Sequence, residues 1–247
     1  MSPTSSSPTS TSPSSSADVG SGPTTGSPRP VVFVHGLSTS SAIWAHQVEV
    51  LTRLGHDCVA VDLPGHGRRG HERFTLEAAL RVIDDAVRRL PAPPLLVGLS
   101  LGGYTSLAYA ARHEDAVAGV FLSGCSTEIK GWPLRGYRRV SPVVARGLRK
   151  ATDTWHVVTD MLTALHGHSS LADLRRLPVP VPVWFVNGRW DVLRFGERRL
   201  VAARPGARLT VVKGAGHDVN THAPTAFTAT LVRAVRELGV APVAATA

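Results

Sequence analysis

Nine residues, Leu95-Leu96-Val97-Gly98-Leu99-Ser100-Leu101-Gly102-Gly103, narrow the possible folds of this chain more than any other stretch. They set an unbroken apolar run directly before a serine with glycine two places to either side, and the helix-forming stretch Tyr104 to Arg112 follows. A strand with no polar alternation is buried on both faces, as strands of parallel sheets are. Small residues at positions 98 and 102 let the backbone bend tightly enough between strand and helix for the Ser100 hydroxyl to project into solvent. A serine that merely caps a helix is the plainer alternative, and the strand before it and helix after it weigh against that.

The rest of the chain repeats the same grammar. Apolar runs at Val31 to His35, Cys58 to Asp62, Leu95 to Leu99, Val117 to Leu122, Val183 to Asn187 and Leu209 to Val212 read as buried strands. Between them, Trp44, Val48 and Leu51 share one helical face ahead of Gly55, and Leu76, Leu80, Ile83, Val87 and Leu90 line a second helix capped by Thr75. A last helix starts at Pro224 with the stripe Phe227, Leu231, Val235 and Leu238. Strands alternating with helices predict a mostly parallel sheet of about six strands between helical layers. From Cys125 to Pro182 no strand signal appears, and a stretch of that length is read as an inserted helical cap. The expected organisation is a tail over 1–30, a core over 31–125 and 182–247, and a cap over 126–181.

Composition adds bounds. The 247 residues, 43% of them hydrophobic, suffice for a substantial core. Residues 1–30 are Ser, Thr, Pro and Gly with little that is apolar, a composition that cannot offset its ordering entropy. No basic start with an apolar stretch precedes Arg29, and no later apolar run reaches membrane-spanning length. The two cysteines, Cys58 and Cys125, fall in or at the end of buried strands, where a reduced thiol packs as a small hydrophobe. A cytoplasmic protein is the expectation. The formal charge of +9 is compatible with an anionic partner, a membrane surface or base composition alone.

A serine hydroxyl becomes a nucleophile when an imidazole takes its proton, and the imidazole needs a carboxylate to fix its tautomer. Of eleven histidines, His217 in Gly214-Ala215-Gly216-His217-Asp218 is best placed, between the last strand and the last helix. Asp191 follows the strand Val183 to Asn187. Asp218 is a rival, but its adjacency to His217 makes the side-chain geometry awkward. A tetrahedral oxyanion needs two backbone donors, and Leu101, after the serine, and Leu37, after His35-Gly36, are the candidates. These residues predict acyl transfer from a small acyl substrate, with Ser100, Asp191 and His217 catalytic and neither cofactor nor metal required.

Taken in order, His35-Gly36, the turn Asp62-Leu63-Pro64-Gly65-His66-Gly67, the GLSLGG segment, Asp191 and Gly216-His217 resemble the α/β-hydrolase superfamily over residues 31 to 238. The resemblance implies a three-layer α/β-hydrolase fold and gives His35 and His66 a shaping role without acid–base work. Two departures stand out. The two opening strands of many members are missing, and Leu99 occupies the place where many esterases and lipases have histidine. Haloalkane dehalogenases and epoxide hydrolases carry aspartate at the position of Ser100, which points this chain to carboxylic esters. Thioesters, lactones, carbon–carbon bonds and cofactor-free haloperoxidation share the same triad and stay open. So does a ligand-binding or signalling module with slow turnover, since fold does not fix function.

Weaker signals complete the reading. Lys130, Arg135, Arg138, Arg139, Arg146, Arg149 and Lys150 occur with no acidic residue among them, a solvated face of the cap or an attraction for an anionic substrate. Trp132, Trp155, Trp190 and Phe195 form either an apolar wall beside the serine or cap core. His166 and His168 have metal-compatible spacing without further ligands. No phosphate loop or dinucleotide fingerprint is present, so no nucleotide or nucleic-acid partner is expected.

Overall fold

The computed structural model describes residues 28–128 and 155–239. Residues 1–27 of the tail and the basic run from Lys130 to Lys150, with Trp132, lie outside the described residues. Six strands form one parallel sheet: β1 (Val31–Val34), β2 (Cys58–Val61), β3 (Leu95–Leu99), β4 (Gly119–Ser123), β5 (Val183–Gly188) and β6 (Arg208–Val212). Their spatial order is β2-β1-β3-β4-β5-β6. The order reverses between β1 and β3, and open α/β sheets bind ligands at the carboxyl ends of strands at such a switch point. Val34 pairs with Gly98, so His35-Gly36 and Leu99-Ser100 leave the sheet side by side at that end.

Alternation along the strands sends side chains to two cores. Val32, Val34, Leu96, Val120, Leu122, Val183 and Phe185 face α2 (Leu76–Val87) and α3 (Leu101–Ala110). Val31, Phe33, Leu95, Val97, Phe121, Trp184 and Val186 face α1 (Ala45–Arg53) and the C-terminal helix. The second core is built on aromatics, with the Phe33 and Trp44 rings 5.2 Å apart and Trp44 and Phe227 5.8 Å apart. The edge strand β2 is only half-buried for most of its length, and the other edge, β6, begins exposed. β4 starts two residues later than the run at Val117 suggests: Val117 is buried in the turn that precedes it.

Five further helices complete the described residues: α4 (Trp155–Leu165), α5 (Ser170–Arg176), α6 (Glu197–Ala203), α7 (Val219–His222) and α8 (Pro224–Gly239). Val157, Leu165, Leu171 and Leu174 join the core shared with α2 and α3. Glu128, leaving β4, accepts hydrogen bonds from Ser169 Oγ (3.0 Å) and Ser170 Oγ (2.7 Å) and so fixes the start of α5. The return to β5 is held by Arg204, a buried cation whose guanidinium donates to the carbonyls of Leu177 (2.7 Å), Val179 (3.1 Å) and Val181 (2.6 Å). Among the described residues no helix is long and apolar enough to cross a membrane. Both cysteines are free, and burial pushes the Cys58 thiol up to about 11.

Candidate active site

Ser100 stands between β3 and α3 with φ 52°, a left-handed conformation that a residue with a Cβ seldom adopts. Its N–H donates to the Ser123 carbonyl at 2.7 Å and its carbonyl accepts from Tyr104 at 3.1 Å, so sheet and helix both hold the strained residue. The turn closes only without side chains at its flanks. A Cβ on Gly102 would overlap the Val34 carbonyl, and one on Gly98 the Gly102 carbonyl.

The loop after β1 faces this turn. His35 Nδ1–H donates to Gly36 O at 2.7 Å and its Nε2 accepts from Leu63 N–H at 3.0 Å, which fixes one neutral tautomer. Burial lowers its pKa to about 4, so the ring is a brace. The Thr39 hydroxyl also donates to Gly36 O at 2.8 Å, and Ser38 takes φ 58°. Among the described residues neither the Leu37 nor the Leu101 N–H has a hydrogen-bond acceptor. Behind the loop, Asp62 accepts from Ser41 N–H (2.7 Å) and from Arg68 N–H and Nε (both 3.1 Å). Burial raises the Asp62 pKa, but these donors outweigh it and bring the carboxyl to about 2. His66 donates from Nδ1 to Pro64 O at 3.0 Å and meets the His35 ring edge-on at 4.9 Å.

At the neighbouring strand ends, His217 Nδ1 lies 2.9 Å from Asp191 Oδ1. That bond makes Nδ1 the protonated nitrogen of the neutral ring and leaves the Nε2 lone pair free. The same carboxylate oxygen accepts from Leu193 N–H at 2.8 Å. The hydrogen bond that His217 donates to Asp191 raises the His217 pKa above 6.5 against the opposing effect of burial, while Asp218 makes no hydrogen bond to the ring. Backbone bonds clamp the two loops together: Arg189 N–H to Val212 O (2.9 Å) and Trp190 N–H to Ala215 O (3.0 Å). This approach requires glycine at position 188, where a Cβ would overlap the Gly216 carbonyl. The His217 ring lies over Gly124, which follows β4, with Leu99 on the same side. No hydrogen bond joins the Ser100 hydroxyl to His217 among the described residues.

Sequence reasoning missed what holds the loop around Asp191. Asn187, fully buried, accepts from Gly124 N–H (3.3 Å) and donates to Ser126 Oγ (2.9 Å) and Glu197 Oε2 (3.1 Å). Thr127 Oγ1 donates to Leu193 O at 2.5 Å. An asparagine at the end of an apolar strand was the one available signal. Trp190 and Phe195 are not core: they are 71% and 87% exposed, on the turn that buries Asp191. Among the described residues no group of three or more His, Cys, Asp or Glu could hold a metal ion.

Sheet order, strained serine and paired His and Asp are the features of one broad class, and comparison with known proteins identifies it. The chain belongs to the alpha/beta hydrolase family, whose model matches residues 31–230. It is similar to an esterase of Mycobacterium tuberculosis, 28% identical over 183 residues, which cover 70% of this chain and 60% of that protein. A pimeloyl-acyl-carrier-protein methyl ester esterase of Chromobacterium violaceum is 36% identical over 131 residues, 51% of this chain and 49% of that protein. The chain thus spans about half to three-fifths of the length of these relatives. A bromoperoxidase from Bacillus anthracis shares the fold at a TM-score of 0.70 and 17% identity, over 84% of this chain and 92% of that one.

Proposed function

We propose that this protein is a serine hydrolase that cleaves a carboxylic ester-like bond of a small or medium-sized substrate through an acyl-enzyme. The observation that carries the reading is the 2.9 Å bond between His217 Nδ1 and Asp191 Oδ1, which leaves Nε2 as a base at the sheet end from which Ser100 projects. Esterase-named relatives support the same class. In the reaction, His217 Nε2 takes the Ser100 proton as Oγ attacks the substrate carbonyl. The oxyanion accepts hydrogen bonds from the Leu37 and Leu101 N–H groups, each donor contributing about 3 kcal/mol. Collapse expels the alcohol, protonated by His217. Water, deprotonated by the same nitrogen, then releases the acid and restores Ser100. Asp191 holds the tautomer and stabilises the imidazolium. The Ser100–His217 bond forms when substrate arrives, as catalytic bonds that are long in empty sites commonly tighten. On the same proposal residues 126–181 cap this site, and residues 129–154 of that span lie outside the described residues.

A fluorophosphonate probe with peptide mass spectrometry tests the constellation directly. One adduct on Ser100, absent in His217→Ala, is expected, and Ser100→Ala is expected to lose about four to six orders of magnitude in turnover. An unlabelled Ser100 in folded protein overturns the reading and leaves a ligand-binding module in its place.

A further inference from the structure

The loop that carries Asp191 contains a second carboxylate that the proposed reaction does not use. Glu197, at the start of α6, is buried, and its oxygens accept from Arg194 Nε (3.1 Å), Arg194 Nη2 (2.6 Å) and Asn187 Nδ2 (3.1 Å). Arg194 stands three residues from Asp191 in the same turn, and its Nη1 donates to the Arg189 carbonyl at 3.1 Å. Its pKa is held above the ordinary value by the Glu197 hydrogen bonds, and the Asp191 charge acts in the same direction, so both carboxylates act on this guanidinium. Asp191 meanwhile has an open side. Its Oδ1 is taken by His217 and Leu193 N–H, but its Oδ2 is buried and accepts no hydrogen bond from a described residue. An arginine fork binds carboxylate with two charge-assisted bonds, a stronger partnership than a neutral imidazole offers. Two carboxylates thus act on one guanidinium, and it is Glu197 that holds it by hydrogen bonds.

We infer that Glu197 is a positioning residue that keeps Arg194 off Asp191 and so reserves that carboxylate for His217, an inference that rests on the roles given above to Asp191 and His217. Were Arg194 to swing onto Asp191 Oδ2, the carboxylate charge would be shared between guanidinium and imidazole. The imidazolium would lose part of its stabilisation, and proton transfer from Ser100 would slow. A Glu197 that merely ties Asn187 to α6 predicts something else: loss of function on substitution, with no recovery when Arg194 is also removed.

Glu197→Gln separates the two. It keeps an oxygen for Asn187 Nδ2 but loses the charge that holds Arg194. We expect the His217 titration, followed by NMR, to fall by about one pH unit and kcat/KM to drop about tenfold. Glu197→Gln/Arg194→Gln is expected to recover both to within about threefold. Arg194→Gln alone, which requires no Glu197 variant to fold, is expected to stay within about threefold of the parent. The inference is overturned by an unchanged Glu197→Gln titration, by a double variant that does not recover, or by a larger loss in Arg194→Gln, which would make Arg194 a support of the site. A parent protein inert to the fluorophosphonate probe whose His217 titration still follows this pattern would remove the proposed activity and leave the inference standing.

Discussion

Between Gly98 and Gly103 the chain turns because side chains are missing, whereas between Arg189 and Glu197 it turns because side chains are present. In the first region backbone meets backbone: Gly102 lies against Val34 O, Gly98 against Gly102 O, and the strained Ser100 is clamped by Ser123 and Tyr104. In the second, Asp191, Arg194 and Glu197 hold the loop by their own hydrogen bonds, with Asn187 and Thr127 reaching in from β5 and from beyond β4. Steric shape of the first kind is local and tolerates no addition. Polar shape of the second kind is distributed, so its members differ in what their loss does.

The largest effect is expected where the distributed loop meets the chemistry. Asp191→Asn offers Nδ1 the wrong partner for its tautomer and should lower kcat by about 10⁴-fold while the sheet stays folded. The pH dependence gives the sign. Asp191 raises the folded pKa of His217 above 6.5, so on the proposed mechanism activity is expected to fall as pH drops through that raised value, since the base must be neutral. In the variant that acid limb moves to lower pH. Stability runs the opposite way: the imidazolium–carboxylate pair contributes fully below the unfolded pKa and its contribution is lost as pH rises through the folded one. Asp191→Asn should remove that component. A kcat/KM profile whose acid limb does not move would detach Asp191 from His217.

The same contrast explains what the sequence made legible. Six strands were readable within a residue or two, the four inner ones because two-sided burial leaves a continuous apolar run and the edges β2 and β6 from their β-branched content, and the Gly98–Ser100–Gly102 turn because its mechanism is the absence of Cβ atoms. Asp191 and His217 could be assigned to the ends of two strands from their place in the chain, and the structure sets those strands side by side and brings the pair to 2.9 Å. What stayed hidden was polar satisfaction across long separations. Gln47, on an amphipathic helix, is buried against Asn220 O, 173 residues away, and Asn187 reaches Ser126 across 61. Arg204 reads as one more surface arginine until the carbonyls of residues 177–181 close around it. Periodicity reports which face a residue is on, and it says nothing about which distant donor will meet it. Trp190 and Phe195 could not be placed for the complementary reason, since aromatic content does not reveal that they stand outside the core.

The backbone-built region should respond mainly in folding. Gly102→Val sets a Cβ against the Val34 carbonyl, which is fixed by pairing in the sheet and cannot move aside. A loss of more than about 4 kcal/mol in urea unfolding is expected, the exceptional end of the single-substitution range. If instead the variant folds with near-parental stability and loses only activity, the turn is more compliant than its contacts indicate, and the contrast with the Asp191 loop weakens.

The smallest effect is expected on the outer face of that loop. Trp190→Ser and Phe195→Ser remove large side chains that are 71% and 87% exposed and bury little, so the unfolding free energy should change by no more than about 0.5 kcal/mol in Phe195→Ser and about 1 kcal/mol in Trp190→Ser. The Arg189 guanidinium lies 5.7 Å from the centre of the Trp190 ring, an exposed cation–π contact worth about 0.5–1 kcal/mol at most. The inward bonds of Asp191 to Leu193 N–H and His217 do not pass through either aromatic ring. Urea titration of the two variants therefore asks whether the loop is held from inside alone. A loss of 2 kcal/mol or more in Phe195→Ser, on the order of burying a phenyl ring, would mean that its outer face is covered in solution and that the loop has two sides to satisfy.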